Sequence, residues 1–526
     1  MKYLNKLTIS SVFFTLLISV PALILFTNIF IGGENWSHLV DTVLFEYIFN
    51  SLYIMFGVAI LTAVLGFSTA YLTSLYTFTG SSFFHYALIL PFAIPTYIVA
   101  YIYGGMFDIT GSVTTFILNL LGKDLSEVYF LDIMSIEGAI IVMSLVLYPY
   151  VYLICKTYLR AESSSIIDAS KTMGFSNFQI LYKVVIPISR PAIVAGVILA
   201  VMEAVADFGV MDYYGVSTFV TGIFRTWFGM GSVEDASKLA SMLMLFIFIL
   251  IFCERYQRRN KRYKSSGKDF KPISKQKLTG FKSFLAFFAC FIPFFFGFLL
   301  PFSQMSIWFY RSYEEVIDED FLTVLYQTLS LGVFSAIFIT VLAFVITYNV
   351  RLHKSKLADN LTQISKLGYS IPGAVVAVGI LSFFSIIDRS FDILLSGTIV
   401  AVIFGYTVRF VAISINNFES GFSKIPQSYD DATKTMGIGT FQTFYKVMLP
   451  LIKNSALASF IVIFIEVIKE LPLTMILRPF NYDTLAVLSH ELVGQAQVIE
   501  SSVPAMFIVL LGIVSVLILV KKMIKD

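Results

Sequence analysis

Asp168-Ala-Ser-Lys-Thr-Met-Gly174, continued as Phe-Ser-Asn-Phe-Gln-Ile-Leu-Tyr-Lys-Val-Val-Ile-Pro187, returns as Asp431-Ala-Thr-Lys-Thr-Met-Gly437, continued as Ile-Gly-Thr-Phe-Gln-Thr-Phe-Tyr-Lys-Val-Met-Leu-Pro450. The offset is 263 residues, half of a 526-residue chain. So long a period excludes a solenoid and reads as a duplicated domain. Each copy has the pattern of a helix, a break and a second, short helix. Gly174 and Gly437 suit the left-handed residue that closes the first helix. Ser176 and Gln179 form a capping-box pair for the second, with Gly439 as a weaker cap in the other copy. Phe178, Leu181, Tyr182 and Val185, and their counterparts Phe441, Phe444, Tyr445 and Met448, fall at helical spacing and predict one apolar face. Pro187 and Pro450 are expected to end the short helix, because proline cannot continue the hydrogen-bond ladder.

One such amphipathic helix could simply lie in lipid headgroups. Two copies that agree at the break and on both faces predict one kind of partner surface met twice.

Around these copies the chain is a membrane protein. Hydrophobic residues are 57% and charged residues 13% of the sequence, against roughly 25% charged in soluble domains. The mean hydropathy is +0.82. Apolar runs near 7–31, 48–73, 83–106, 137–157, 191–213 and 238–253, then 283–304, 322–350, 364–387, 393–415, 455–477 and 502–521, predict about twelve spans. The first lacks a small-residue cleavage site after a short apolar core and reads as a retained anchor. Between the sets lies a basic segment, 254–282, with eleven Lys/Arg against Glu254 and Asp269. It reads as a solvated cytoplasmic linker, not a nucleic-acid site. Basic loops inside and acidic loops outside place both termini in the cytoplasm.

Asn50-Ser-Leu52, Ala70-Tyr71 and Ile94-Pro95 also recur, at Gln327-Thr-Leu329, Thr347-Tyr348 and Ile371-Pro372. The expected fold is therefore all-α, with two parallel six-helix repeats: residues 1–253 and 283–526, joined by 254–282. Cys155, Cys253 and Cys290 form no disulfide or metal pattern. No Gly-x-x-x-x-Gly-Lys-Ser/Thr loop is present, which argues against ATP binding by this chain.

Ionisable groups within spans are costly and point to function. Glu203 and Asp207 match Glu466 and Glu470 at the repeat offset. At i, i+4 each pair is expected on one helix face, lining a central pathway. Lys469 or Arg478 could instead neutralise one of them. Carboxylates, with Tyr213 and Tyr214 nearby, suit hard cations, with Glu203 and Glu466 as transient metal contacts.

The motif Asp-Ala-Ser/Thr-x-x-x-Gly followed by Val-x-Ile/Leu-Pro, in loops 166–190 and 429–453, resembles the EAA loop of ABC-importer permeases. Asp replaces the usual Glu at its first position. Glu203-Ala-Val-Ala-Asp-Phe-Gly209, Tyr214-Gly-Val-Ser-Thr-Phe219, Thr221-Gly-Ile-Phe-Arg-Thr-Trp-Phe228, Lys469-Glu-Leu-Pro-Leu-Thr474 and Leu477-Arg-Pro-Phe-Asn-Tyr-Asp-Thr-Leu-Ala486 are similar to the ferric-iron permeases within that family. The resemblance implies a type I importer permease fold in a bacterial inner membrane. It implies no catalysis by this chain, two copies of a separate ATPase that holds ATP and magnesium, and an extracytoplasmic binding protein that delivers iron. It further implies that Asp168, Ala169, Gly174, Phe178, Tyr182 and Pro187, with Asp431, Ala432, Gly437, Phe441, Tyr445 and Pro450, belong to the ATPase-coupling loops. Permeases for thiamine, phosphonate or polyamine share this framework, and a stand-alone secondary transporter would share the twelve spans.

Overall fold

The structure is a computed structural model that describes residues 6–30, 33–128, 132–161, 169–170, 172–259, 275–353, 356–437 and 439–525. Its principal helices, in chain order, are α1 (Lys6–Asn28), α2 (Leu44–Leu75), α3 (Ser81–Ala87), α4 (Thr96–Phe107), α5 (Ile136–Ala161), α6 (Ile186–Ala206), α7 (Val233–Arg259), α8 (Phe281–Phe294), α9 (Leu300–Val316), α10 (Glu319–His353), α11 (Gly373–Phe391), α12 (Ile399–Ser423), α13 (Leu449–Ile468) and α14 (Ser502–Lys525). Nine helical stretches among the described residues are long and apolar enough to cross a bilayer. A tenth counts if the sharply bent Ser81–Leu121 stretch is one span. The other two expected runs lie within α7 and α14.

The duplication reappears as architecture. One compact unit is built on α2, α5 and α6, and the other on α10, α12 and α13. Small residues let the helices approach closely, as in other membrane bundles. Gly66 of α2 and Gly196 of α6 both sit against Val151 of α5. In the other unit Gly421 of α12 faces Ser455 of α13.

Two expected spans are not continuous helices. The run 83–106 turns through 88° between Ala93 and Thr96. The run 364–387 starts at the end of the helix Lys356–Ser365, passes through a 3₁₀ turn at Lys366–Ser370 and becomes a continuous helix only from Gly373. The cause is the shared Ile-Pro step. Proline pushes its predecessor out of the helical region, and Ile94 and Ile371 are extended, with ψ of 125° and 129°. Pro95 and Pro372 then start α4 and α11. Two further runs end early. α6 stops at Ala206 and α13 at Ile468, each followed by a separate short helix, Gly209–Tyr213 and Pro472–Leu477.

Neither unit is a linear half of the chain. One comprises residues 1–38, 222–244 and 315–491, and the other 39–221, 245–314 and 492–526. In the first, α1 lies along second-half helices. Thr15 and Ser365 share a 3.0 Å hydrogen bond, and Leu25 packs on Gly379 of α11. In the second, α8 and the π-helical turn after it lie along first-half helices. Phe83 and Phe294 meet edge to face at 5.5 Å, and Gly297 abuts the Leu145 carbonyl. Each repeat core thus packs against the leading helix of the other repeat.

Candidate functional site

The first repeat loop is described from Ala169, apart from Lys171, so Asp168 lies outside the described residues. Gly174 has φ of 81° and Gly437 φ of 69°, the left-handed conformation both were expected to need. A Cβ on either would touch nothing within 4 Å, so backbone conformation, not space, selects glycine. The capping box forms in full. The Gln179 amide donates to Ser176 Oγ at 3.3 Å, and the Ser176 amide donates to Gln179 Oε1 at 2.9 Å. In the second copy the short helix starts at Thr440, directly after Gly439.

The expected single apolar face is divided. Val185 is buried with Ile180 and Leu159, against Phe67, Tyr71, Phe175 and the half-buried Leu181. Phe178 and Tyr182 point out, 76% and 68% exposed, with Met173 at 73%. The second copy repeats the outward set with Tyr445 at 65% and Met436 at 73% exposed, while Met448 is buried. The side chains of Phe441 and Phe444 lie outside the described residues. Ala169, Asp431 and Ala432 are exposed as well. The short helix that exposes Phe178 and Tyr182 in one copy, and Tyr445 in the other, is the candidate docking helix of each repeat.

Pro187 and Pro450 do not end the short helix. Residues 177–206 run as one helical stretch with a π-helical turn at Leu181–Val185. There the Ile186 amide donates to the Leu181 carbonyl, five residues back. The wider turn tolerates a ring and a missing N–H just beyond it. Phe444–Met448 forms the same turn before Pro450. The docking helix is thus a continuation of the span.

The four acids are not paired on helix faces as expected, because α6 and α13 end before Asp207 and Glu470. Asp207 instead accepts a 2.9 Å hydrogen bond from the Val210 amide and one from the Thr96 hydroxyl. Glu470 accepts from the Leu473 amide at 3.2 Å and pairs with Arg409 at 3.2 Å. Both therefore cap the short helix after the break. Glu466 pairs with Lys469 at 2.8 Å, one of the neutralising contacts foreseen. Arg478 pairs with Asp483 and Glu491 instead. Glu203 sits half-buried on α6. Tyr214 is buried and donates to the Ala100 carbonyl at 3.3 Å. Tyr213 lines a cavity of about 800 Å³, with Asp108, Gln304, Trp308, Arg311 and Glu500.

Two participants escaped the sequence reading. Thr96 carried no signal. Arg409 did, as a lone cation in an apolar run.

A duplicated bundle of membrane-length helices, with a short helix carrying exposed apolar side chains in each copy, is the architecture of a transport permease. The chain belongs to the family of binding-protein-dependent transport system inner membrane components, which matches residues 63–262 and 339–525. It is similar to the "Fe(3+)-transport system permease protein FbpB 2" of Haemophilus influenzae, 23% identical over 480 residues and 90% of each chain. It is also similar to the "Ferric transport system permease protein FbpB" of Actinobacillus pleuropneumoniae, 22% identical over 85% of this chain and 67% of that one. The "Sulfate transport system permease protein CysT" of Salmonella typhimurium is 24% identical over 38% of this chain and 69% of its own. As a permease of this family the chain is not an enzyme, and family membership implies a binding protein and an ATPase as partners.

Proposed function

We propose that the chain is the membrane subunit of an ABC importer that takes ferric iron from an extracytoplasmic binding protein. The observation that carries the cargo is similarity to a ferric permease along 90% of both chains. The sulfate permease matches less than the length of one repeat, as a shared framework does. Cargo specificity resides in sites, not in the fold, so a permease of the same class for thiamine, phosphonate or polyamine is the competing assignment.

In this reading both termini and both repeat loops face the cytoplasm of a bacterial cell. The linear repeats 1–253 and 283–526 act as two permease subunits tethered by 254–282. Two ATPase subunits hold ATP and magnesium, and this chain binds neither. Phe178, Tyr182 and Tyr445 enter a cleft on the ATPases, and Ala169, Gly174, Pro187, Asp431, Ala432, Gly437, Phe441 and Pro450 shape the same two elements, with Asp168 at the first motif's start. ATP-driven closure draws the two docking helices together. Because each runs unbroken into α6 or α13, the movement passes to the span as a rigid lever.

Among the described residues no three His, Cys, Asp or Glu side chains converge into a metal cage. The acids would therefore make passing contacts with a cargo in transit. Glu203 and Glu466, one in each repeat, are the proposed contacts, with Asp207 and Glu470 fixing the helix breaks beside them.

The test is ATP-dependent uptake of radiolabelled ferric iron into proteoliposomes containing the chain, its ATPase and its binding protein. Wild type is compared with Glu203→Gln/Glu466→Gln. Uptake in wild type that drops at least about tenfold in the variant, equivalent to about 1.4 kcal/mol, supports cargo and pathway together. Uptake that survives keeps the cargo and removes the acids from the path. Absence of iron uptake, with ATPase stimulation by a binding protein loaded with another solute, overturns the iron assignment.

A further inference from the structure

The end of one unit that carries loop 169–176 holds a group of cations that no described carboxylate pairs with. Lys156, near the end of α5, is 8% exposed. Its ammonium donates to Tyr152 Oη at 2.6 Å and to the His85 carbonyl at 3.3 Å. Lys275, near the end of the basic linker, donates to the Thr73 carbonyl at 2.9 Å and lies 3.1 Å from His85 Nε2. Lys275 is fixed in place by its neighbours. Gln276–Lys277 pairs in parallel with Tyr76–Thr77, and the Leu278 amide donates to the Thr77 carbonyl at 2.9 Å. Arg160, one turn beyond Lys156 on the same helix, is exposed and adds a third basic side chain at this end.

Each partner of these ammoniums is neutral, and none forms an ion pair with a described carboxylate. Because Lys275 can only donate, His85 Nε2 must accept, which places the ring proton on Nδ1. Nδ1 is buried and has no partner. Lys156, Arg160 and Lys275 thus gather at one end, with donors to spare and no acceptor of opposite charge among the described residues. Such an arrangement is costly unless an anion occupies it.

The surroundings say which anion. Beside the cluster, α3 presents Phe83 and Tyr86, 55% and 44% exposed, and α8 presents Phe281 and Phe284, 72% and 56% exposed. Exposed aromatic rings next to clustered cations at the end of a bundle match the boundary between acyl chains and headgroups. We propose that Lys156, Arg160 and Lys275 form a binding site for a phosphate-bearing anion, supplied by the headgroup of an anionic phospholipid whose chains lie on the aromatic surface of α3 and α8. The lipid would tie the end of the linker to α2 and α5, close to the docking helix on α6.

Thermal unfolding of the full-length chain in a neutral detergent tests this, with dioleoylphosphatidylglycerol, dioleoylphosphatidylcholine or inorganic phosphate titrated in. Phosphatidylglycerol should raise the melting temperature saturably, and phosphatidylcholine should not. In Arg160→Gln/Lys275→Gln the midpoint concentration should rise at least about tenfold, through the loss of two charge-assisted contacts. Lys123→Gln/Lys282→Gln, which removes the same two charges at exposed positions outside the cluster, should behave as wild type. Equal shifts with both lipids, or an unchanged midpoint in the double variant, overturn the site. Saturation by inorganic phosphate with the full shift overturns the lipid as its source. Should the double variant fail to fold, Lys275→Gln alone gives the same reading, because that residue lies outside the helices.

Discussion

Thr96 and Gly373 occupy matching places after the two Ile-Pro steps, yet they solve one problem in opposite ways. In the first repeat the break acid, Asp207, is satisfied by the Thr96 hydroxyl. In the second, Gly373 leaves a space that the Arg409 guanidinium and the Glu470 carboxylate fill, and a Cβ there would collide with both. Arg409 and Glu470 are 11% and 6% exposed, so separating them leaves a buried charge without its partner. Gly373→Thr should therefore destabilise the chain by about 3 kcal/mol, from overpacking and from the parted ion pair, read as a lower melting temperature. Val146 lies 263 residues before Arg409, the offset that relates the two loops and the four acids. Gly373→Thr/Arg409→Val should regain much of the loss by rebuilding the hydroxyl–carboxylate contact. A double variant no more stable than the single one would show that the two sites are not equivalent.

The sequence showed that Asp207 and Glu470 correspond but not what they do. Their i, i+4 spacing from Glu203 and Glu466 has meaning only if the helix continues, and it stops one residue before Asp207 and two before Glu470. No strong breaker marks either stop. Pro472 lies beyond the second, and the sequence Ala204-Val-Ala-Asp-Phe-Gly209 gives little sign of the first. Capping acids and pathway acids look alike until the N–H groups they satisfy are known.

The docking helix was legible in outline and misread in azimuth. Glycine, capping box and apolar spacing were each recoverable, because each is a local device. The π-helical turn was not, since it depends on how a proline is accommodated at the start of a long span. Each such turn adds one residue to the ladder, which rotates what precedes it by about 100° relative to the span. That rotation divides the expected face, burying Val185 beside Ile180 and leaving Phe178 and Tyr182 exposed. The two sets should respond differently. Phe178→Ser/Tyr182→Ser should leave the melting temperature of the isolated chain unchanged and abolish co-purification of the ATPase. Ile180→Ala should cost about 2–4 kcal/mol of packing and lower the melting temperature, while Phe178 and Tyr182 stay available. Gly174→Pro/Gly437→Pro requires φ near −65° where the backbone holds 81° and 69°, so expression should persist while uptake is lost. Full uptake by that variant would remove the loops from the coupling role.

The two repeats were evident from sequence, but the exchange of their leading helices was not. Periodicity and hydropathy describe one span at a time, and no local pattern records which repeat α1 or α8 lies against. The exchange has a consequence for assembly. A first repeat made alone lacks α8 and the π-turn segment, whose Phe294 and Gly297 cover Phe83 and Leu145. A second repeat made alone lacks α1, whose Thr15 and Leu25 meet Ser365 and Gly379. Buried surface on each core would then face lipid, and the small residues that admit a neighbouring helix would have none. Residues 1–263 and 264–526 expressed separately should therefore accumulate poorly, while their co-expression should restore a complex that co-purifies through a tag on either fragment. Removing residues 1–30 from the co-expressed pair should undo that rescue, with increased proteolysis of the second fragment. If each fragment instead accumulated alone at the level of the intact chain, the exchanged helices would be dispensable, and the linker would do more than hold together two parts that already depend on each other.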